Sequence, residues 1–269
     1  DKNSGKLSRE LTALQNERNE ISNAERENNA TSAQLGRKEK FPLHLLSNQP
    51  EYRLHGQLDN AEYSLKNKIK DRTRKITLVL EDVFQSRNIS AAMRSADCFG
   101  LQDVHIIENK NKFISDKTVS LGAGEWLNII QHNKTKQNTK LCIENLKKQG
   151  YQIIATTPHN SDITLNEVDI ENNKIAILLG TELTGLSNEA LSLADKKMKI
   201  EMHGFTESLN ISVSAAICCQ NLSNKMRKSD VNWKIKENEA DEIMLNWLRN
   251  TIKSSKEIEG KFFEDNGKV

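Results

Sequence analysis

The pattern of hydrophobic and polar residues changes near residue 76. Residues 1–50 are polar over long runs and contain a single aromatic residue, Phe41. A segment with so little apolar surface cannot offset the entropy that it loses on ordering, so we expect residues 1–50 to be mobile. Residues 51–75 are richer in lysine and arginine, and we predict that they form a basic amino-terminal helix.

Short apolar runs rich in β-branched residues follow residue 75, and they predict buried strands. These runs are Ile76–Leu80, Val104–Ile107, Tyr151–Thr156 and Ile175–Leu179. Helical patterns lie between them, one from Asn88 to Phe99 and one that carries Leu141, Ile143 and Leu146. Gly100 and Gly150 follow these helices at the position that a left-handed helix terminus requires. Strands that alternate with helices predict an α/β fold with a mostly parallel sheet and helices on both faces.

Two further helical patterns lie near the carboxyl terminus. The first follows Asn210 and includes Ala215, Ala216 and Leu222. The second is amphipathic, with apolar residues at helical spacing, namely Ile243, Met244, Trp247, Leu248 and Ile252. We therefore predict an α/β domain over residues 76–229 and a carboxyl-terminal helical extension over residues 230–269.

Composition, charge and cysteine spacing exclude only a few classes of protein. The 269 residues carry a formal net charge of +2, which is too small to indicate nucleic-acid binding by itself. The four cysteines have no CxxC spacing and no neighbouring histidine pair, so we expect reduced thiols and no metal site. No apolar run approaches the ~20 residues of a membrane span, and the first residues do not resemble a signal peptide. We expect a cytoplasmic protein that does not bind a membrane.

Basic residues form two clusters, Lys66, Lys68, Lys70, Arg72, Arg74 and Lys75 before the first strand, and Lys225, Arg227 and Lys228 near residue 229. Either cluster would attract phosphates and make binding salt-dependent, although a solvated helix face explains such a run equally well. For an RNA ligand, the candidate contacts are Lys70, Arg72, Arg74, Lys75, Arg227 and Lys228.

A glycine-rich turn, Gly180–Gly185, directly follows the strand that ends at Leu179. Ligands of parallel α/β sheets bind at the carboxyl ends of the strands, and two glycines let the backbone turn tightly there. Glu182 places a carboxylate in this turn. A plain strand-to-helix turn with Ser187 as the helix N-cap would explain the same residues. The turn lacks the GxGxxG pattern of a dinucleotide-binding fold.

Two other groups of polar residues lie at the beginnings of predicted helices. Asn88 and Arg94 flank small residues, which permit close approach by a ligand or another chain. An ion pair of Arg94 with Asp97 or Glu182 is the structural alternative. Ser208 and Asn210 begin the helix that follows, and either residue could simply cap it.

Together these groups resemble the three motifs of the SpoU–TrmH family, within the SPOUT superfamily of knotted methyltransferases. Asn88–Arg94 is similar to the first motif, Leu179–Gly185 to the second, and Ile200–Ser212 to the third. The resemblance covers residues 76–228, and as an ordered set the motifs are highly specific. One position departs from the family pattern, because Glu201 stands where proline is usual. Glu201 leaves the loop less constrained and adds a charge near the expected cofactor.

The resemblance implies a carboxyl-terminal trefoil knot and S-adenosylmethionine as the cofactor. It places cofactor contacts at Thr156, Gly180, Ile200, Met202 and Leu209. It places the catalytic groups at Arg94, Asn88, Glu182, Ser208 and Asn210. It also implies a homodimer whose active sites combine both subunits. A guanidinium is a poor base, so we interpret Arg94 as a phosphate ligand that also stabilises developing negative charge.

The reaction that the resemblance implies is methylation of a ribose 2′-hydroxyl in RNA. The layout is most like that of the tRNA D-loop guanosine enzymes, because residues 1–75 are polar and strand-poor and show no separate amino-terminal RNA-binding domain. A ribosomal RNA substrate is the first alternative. A catalytically inactive RNA-binding protein would show damaged motifs, and a nucleotide-dependent oxidoreductase would need the missing GxGxxG and a ribose-binding acid.

Overall fold

The computed structural model describes residues 65–114, 117–251, 257 and 260. The fold below is that of the compact unit Ser64–Trp247. The prediction of a mobile segment over residues 1–50 lies outside the described residues. Of the basic helix predicted over residues 51–75, residues 65–75 are described. Residues 65–70 are helical, whereas residues 71–75 form a turn and an irregular segment before β1, so the predicted helix is wrong there.

Seven strands form one sheet in which every pairing between strands is parallel. They are β1 (Ile76–Glu81), β2 (Asp103–Ile107), β3 (Asn128–His132), β4 (Tyr151–Thr156), β5 (Ile163–Thr164), β6 (Lys174–Leu179) and β7 (Lys196–Lys199). Their order across the sheet is β3-β2-β1-β6-β4-β7-β5. The sheet confirms the predicted α/β class, and the four predicted strands correspond to β1, β2, β4 and β6. The trefoil knot stays a prediction.

Helices cover both faces of this sheet. They are α1 (Ser86–Cys98), α2 (Lys117–Ser120), α3 (Ala123–Trp126), α4 (Asn138–Lys148), α5 (Asn188–Leu193), α6 (Ile211–Lys228) and α7 (Glu237–Thr251), with a 3₁₀ turn at Leu165–Glu167. None of the helices within the described residues has the length and hydropathy to cross a lipid bilayer.

Alternating side chains of the central strands supply two separate cores. Leu78 of β1 and Ile177 of β6 lie in register and pack with α1 and α6 on one face. Val79 and Leu178, each one residue further along, pack with α4 and α5 on the other face. All of these side chains are fully buried. Burial on both faces explains why these strands read as continuous apolar runs in the sequence.

The two glycines that were predicted to follow helices lie at helix ends in the structure. Gly100 follows α1 with φ +81° and Gly150 follows α4 with φ +83°, as left-handed helix termini require. A Cβ atom at Gly100 would lie 2.6 Å from the Asp71 carbonyl oxygen, so a larger residue is excluded there by space as well. Helix α1 begins at Ser86, two residues before the predicted start at Asn88.

Three strands were not predicted, because they lack the apolar pattern of a central strand. β7 has the sequence Lys-Lys-Met-Lys, and only Met198 is buried. β3 lies at one edge of the sheet and is partly exposed along most of its length. β5 has two residues and lies at the other edge. Parallel pairing with a neighbouring strand defines all three, and a single sequence does not show that pairing.

Candidate active site

A pocket of about 370 Å³ opens at the carboxyl ends of the central strands. Thr156 ends β4, Gly180 follows β6, and the segment that contains Ile200 and Met202 follows β7. All five predicted cofactor residues line the pocket, namely Thr156, Gly180, Ile200, Met202 and Leu209. Glu182 and Ser208, which were predicted as catalytic residues, line it as well. The structure therefore brings together segments that span more than 50 residues of the chain, from Thr156 to Leu209.

The wall of the pocket between β6 and α5 is the glycine loop, Gly180–Gly185. Two backbone hydrogen bonds join Thr181 and Gly185. The Thr181 N–H donates to the Gly185 carbonyl oxygen at 3.1 Å, and the Gly185 N–H donates to the Thr181 carbonyl oxygen at 3.0 Å. A Cβ atom at Gly180 would lie 2.2 Å from the Gly185 carbonyl carbon, and Gly185 has φ +66°. Both positions need glycine, because the loop closes on its own backbone. Ser187 caps α5 by accepting a hydrogen bond from the Ala190 N–H at 3.1 Å, so its capping role is also present.

Hydrogen bonds connect all three sequence motifs. The Asn88 side-chain amide on α1 donates a short hydrogen bond to the Glu182 carboxylate. Asn210 donates to the Asn88 side-chain oxygen at 3.3 Å. Asn210 also caps α6, since its side-chain oxygen accepts from the Ser212 N–H at 2.9 Å. The Asn210 side chain therefore both caps α6 and connects the third motif to the first.

Arg94 lies apart from this junction. It is exposed on α1 and is not part of the pocket lining. The ion pair considered for it is absent among residues 65–114 and 117–251, because Asp97 pairs with Arg72 and Glu182 binds Asn88. Its guanidinium is thus directed to solvent near the site, where a phosphate or another chain can reach it.

The basic residues divide into exposed and internal ones. Arg72 is 7% exposed, donates to the Leu101 carbonyl oxygen at 2.9 Å and forms an ion pair with Asp97. Arg74 forms ion pairs with Asp103 at 3.1 Å and with Glu239 at 2.7 Å. Because their charges are matched inside the protein, we withdraw Arg72 and Arg74 from the candidate RNA surface.

The other basic candidates lie at or near the surface. Lys70, Arg227 and Lys228 are exposed, and Lys75 is half-buried with its ammonium 3.2 Å from the Glu171 carbonyl oxygen. Arg227 also donates to the Asp71 carbonyl oxygen at 2.7 Å and lies over the Trp233 ring at 4.5 Å. The remaining candidate RNA surface consists of Lys70, Lys75, Arg227 and Lys228.

One cluster with metal-ligand chemistry was not predicted. His105 of β2, His132 of β3 and Cys142 of α4 have their ligand atoms within 4.8 Å of one another. The histidine rings are nearly parallel, with His105 Nδ1 and His132 Nε2 3.0 Å apart and the centroids 5.3 Å apart. One ring can therefore donate a hydrogen bond to the other. Burial lowers the pKa of His105 to about 4 and raises the pKa of Cys142 to about 12. The geometry is therefore that of two neutral imidazoles beside a thiol.

Sequence reasoning also missed polar residues that border the pocket or support it. His159 and Glu207 both line the pocket, and His159 Nε2 lies 3.9 Å from Glu207 Oε2. Glu81, the last residue of β1, is buried and holds Ser187 behind the glycine loop. Its position at the carboxyl end of a predicted strand was the signal that could have identified it.

Comparison with known proteins identifies the family of this chain. The profile of the SpoU rRNA Methylase family matches residues 75–220. A tRNA (guanosine(18)-2′-O)-methyltransferase of Borreliella burgdorferi is 46% identical over 188 residues, which cover 70% of this chain and 84% of that relative. The enzyme of the same name from Escherichia coli is 33% identical over 142 residues, which cover 53% of this chain and 60% of that relative.

Solved structures support the same assignment of the fold. The crystal structure of the A. aeolicus TrmH/SpoU tRNA modifying enzyme matches with a TM-score of 0.65 at 24% identity, and the match covers 72% of this chain and 98% of that one. The family profile spans more than half of the chain, and the three motifs lie within the matched residues or beside them. The resemblance inferred from the motifs is thereby confirmed, and the chain belongs to the SpoU rRNA Methylase family.

Proposed function

We propose that this protein transfers a methyl group from S-adenosylmethionine to a ribose 2′-hydroxyl in RNA, and that the substrate is a guanosine in the D-loop of tRNA. The observation that carries the proposal is the pocket, in which all five predicted cofactor residues meet two predicted catalytic residues. Hydrogen bonds from Asn88 and Asn210 join this pocket to α1, which carries Arg94.

The pocket suits S-adenosylmethionine in size and chemistry. A volume of about 370 Å³ lies in the range of small-molecule sites. Ile200, Met202 and Leu209 offer an apolar surface for an adenine ring, while backbone groups of the closed glycine loop are available for polar contacts. The sulfonium of the cofactor supplies an electrophilic methyl group. The exposed Glu201 lies between two lining residues and adds a negative charge beside this surface.

Arg94 acts on the RNA in this proposal. Methyl transfer to a hydroxyl would form a C–O bond as the sulfonium C–S bond breaks, leaving the cofactor as a neutral thioether, and the hydroxyl proton would pass to water. A guanidinium remains protonated, so Arg94 binds the phosphate next to the target ribose and stabilises the negative charge that develops on the ribose oxygen. Its solvent-directed position fits a group that receives its partner from the substrate.

The remaining polar residues of the motifs position the reacting groups. Asn88 connects the helix of Arg94 to Glu182 in the pocket wall, and Asn210 connects the same amide to the start of α6. Ser208 lines the pocket from the third motif. Holding two reactants in near-attack geometry supplies a large part of the rate of such a displacement. We therefore assign Asn88 and Asn210 to orientation, and Glu182 and Ser208 to the pocket side of the site.

Transfer RNA is favoured over ribosomal RNA by the printed names of the relatives. The Borreliella burgdorferi and Escherichia coli relatives both carry a name that specifies guanosine 18 of tRNA. The family profile, in contrast, is named for ribosomal RNA. The 46% identity over 84% of the first relative is the stronger support, so ribosomal RNA remains the second candidate.

A homodimer that shares its active sites is the assembly that we propose. Large apolar side chains near the site are exposed, among them Phe84, Leu183, Phe205 and Val213. An exposed apolar surface of this kind is typical of a protein–protein contact. A second copy packed there would bring its own α1 to the pocket. Sedimentation equilibrium that gives a monomer at micromolar concentration would contradict the dimer.

We further infer a trefoil knot and a cytoplasmic location, where tRNA is modified.

The experiment that tests the proposed function uses total RNA and S-adenosylmethionine with a labelled methyl group. We expect label in the tRNA fraction, and mapping should place it on the ribose of a D-loop guanosine. Label confined to ribosomal RNA would replace the substrate but keep the reaction. Label on bases, or on neither RNA, would contradict the reaction itself.

A further inference from the structure

A buried carboxylate at the end of β1 has an unusual set of partners. Glu81 is 3% exposed, and among the described residues it forms no ion pair. Three donors surround it instead. Thr139 Oγ1 at 2.6 Å and Ser187 Oγ at 2.7 Å donate to one oxygen, and the Ser187 N–H at 2.8 Å donates to the other. A buried carboxylate is costly unless it is hydrogen-bonded, so the folded protein must keep these donors in place.

Two of the three hydrogen bonds come from the residue at which the glycine loop becomes α5. Ser187 follows the loop with only Leu186 between them. The backbone N–H and the hydroxyl of Ser187 both donate to Glu81, and the hydroxyl accepts from the Ala190 N–H. Ser187 is therefore held on both of its polar groups, and the end of the loop has a fixed position against β1.

The glycine loop is closed on itself, because Thr181 and Gly185 are hydrogen-bonded to each other in both directions. Fixing Ser187 thus fixes the whole wall of the pocket, from Gly180 onward. A shift of Ser187 would be transmitted to Glu182 and to the backbone that faces the pocket.

The end of β1 also leads into α1, which begins at Ser86 and carries Asn88. Asn88 holds the loop at Glu182, and Glu81 holds it at Ser187. Residues 81 and 88 therefore contact the glycine loop and the residue after it at two points, Glu182 and Ser187, which are five residues apart. These two contacts determine where the pocket wall lies relative to the helix of Arg94.

We propose that Glu81 is a positioning residue, which sets the glycine loop in the geometry that binds S-adenosylmethionine. The inference rests on the proposed function. Glu81 does not line the pocket, and it acts through Ser187. Loss of its carboxylate should therefore weaken cofactor binding and raise the KM for the cofactor more than it lowers kcat.

Thr139 provides a matched control, because it binds the same carboxylate oxygen as the Ser187 hydroxyl but belongs to α4. We would titrate Glu81→Ala, Glu81→Gln, Ser187→Ala and Thr139→Val with S-adenosylmethionine in a calorimeter and record their melting temperatures. We expect about tenfold weaker binding for Glu81→Ala, which corresponds to ~1.4 kcal/mol, and an intermediate loss for Glu81→Gln. Ser187→Ala should weaken binding more than Thr139→Val, although both lower the melting temperature.

Unchanged cofactor affinity in the Glu81 variants, with a lower melting temperature, would overturn the inference. Equal losses of affinity in Ser187→Ala and Thr139→Val would overturn it as well, since the effect would then be general destabilisation. Should Glu81→Ala fail to fold, the comparison of Ser187→Ala with Thr139→Val decides the question. Wild-type protein that does not bind S-adenosylmethionine would overturn the proposed function too, which distinguishes that failure from a failure of the Glu81 role alone.

Discussion

Asn88 on α1 donates a short hydrogen bond to the carboxylate of Glu182 in the glycine loop. These residues are 94 positions apart in the chain, and their contact joins the first motif to the second. The same Asn88 side chain accepts a hydrogen bond from Asn210, which joins the third motif as well. One amide thus orients the helix of Arg94, the pocket wall and the start of α6.

The direction of this hydrogen bond can be tested by exchanging its donor and acceptor. Asn88→Asp places a carboxylate against Glu182, and we expect turnover to fall about tenfold or more, since repulsion of ~1.4 kcal/mol is sufficient. The double variant Asn88→Asp/Glu182→Gln restores a donor opposite an acceptor and should recover most of the loss. Steady-state rates of methyl transfer provide the measurement. A double variant no more active than Asn88→Asp alone would mean that the Glu182 carboxylate acts directly on the substrate.

Two glycines near the pocket should respond differently to alanine. A Cβ atom at Gly180 would lie 2.2 to 2.3 Å from backbone atoms of Gly185 and Leu186, whereas one at Gly204 meets nothing within 4 Å. Gly180→Ala should therefore open the loop, lower the stability by ~2 kcal/mol or more and abolish cofactor binding. Gly204→Ala should leave both properties close to wild type. Denaturant unfolding and calorimetric titration measure the two effects, and similar behaviour of both variants would refute the structure of the loop.

Variants of Arg72 and Lys228 should distinguish a basic residue that stabilises the fold from one that binds RNA. Arg72→Ala leaves Asp97 without its partner and removes a buried guanidinium, so we expect a loss of ~2–3 kcal/mol in stability. Lys228 is exposed, and Lys228→Ala should leave stability unchanged. It should weaken tRNA binding and lower the salt dependence of that binding by about one ion. Binding measured at several salt concentrations, together with thermal melts, distinguishes the two. Unchanged RNA affinity in Lys228→Ala would remove Lys228 from the candidate RNA surface.

The histidine pair predicts acid sensitivity. Burial lowers the pKa of His105 from 6.5 to about 4. Below pH 6.5 the unfolded chain takes up a proton that folded His105 does not accept, so stability falls as the pH drops from 6.5 toward 4. The slope from this residue is at most ~1.4 kcal/mol per pH unit. Denaturant unfolding at several pH values should show a smaller slope for His105→Gln than for the wild type. An identical slope in wild type and His105→Gln would contradict this account.

Parts of this structure can be predicted from the sequence because their causes are local. The apolar runs of β1 and β6 reflect burial on both faces, and Gly100 and Gly150 mark helix ends through their own backbone conformation. The motifs identified the pocket residues because a family resemblance covers them.

Other parts depend on partners that are distant in the chain. Arg72 belongs to a basic run, and its burial depends on Asp97, 25 residues away, and on the Trp247 ring. Glu81 is held by donors 58 and 106 residues away. β7 consists mostly of lysine and becomes a strand by pairing with β4 and β5. No local pattern shows any of these contacts.

Methyl transfer to defined tRNA transcripts tests the central claim most directly. Two transcripts would be compared, one with guanosine 18, the nucleotide named for the Borreliella burgdorferi relative, and one with 2′-deoxyguanosine at that position. With labelled S-adenosylmethionine, we predict stoichiometric label on the first transcript, none on the second, and a loss of at least ~100-fold in rate for Arg94→Ala. Equal labelling of both transcripts, or full activity of Arg94→Ala, would contradict the account.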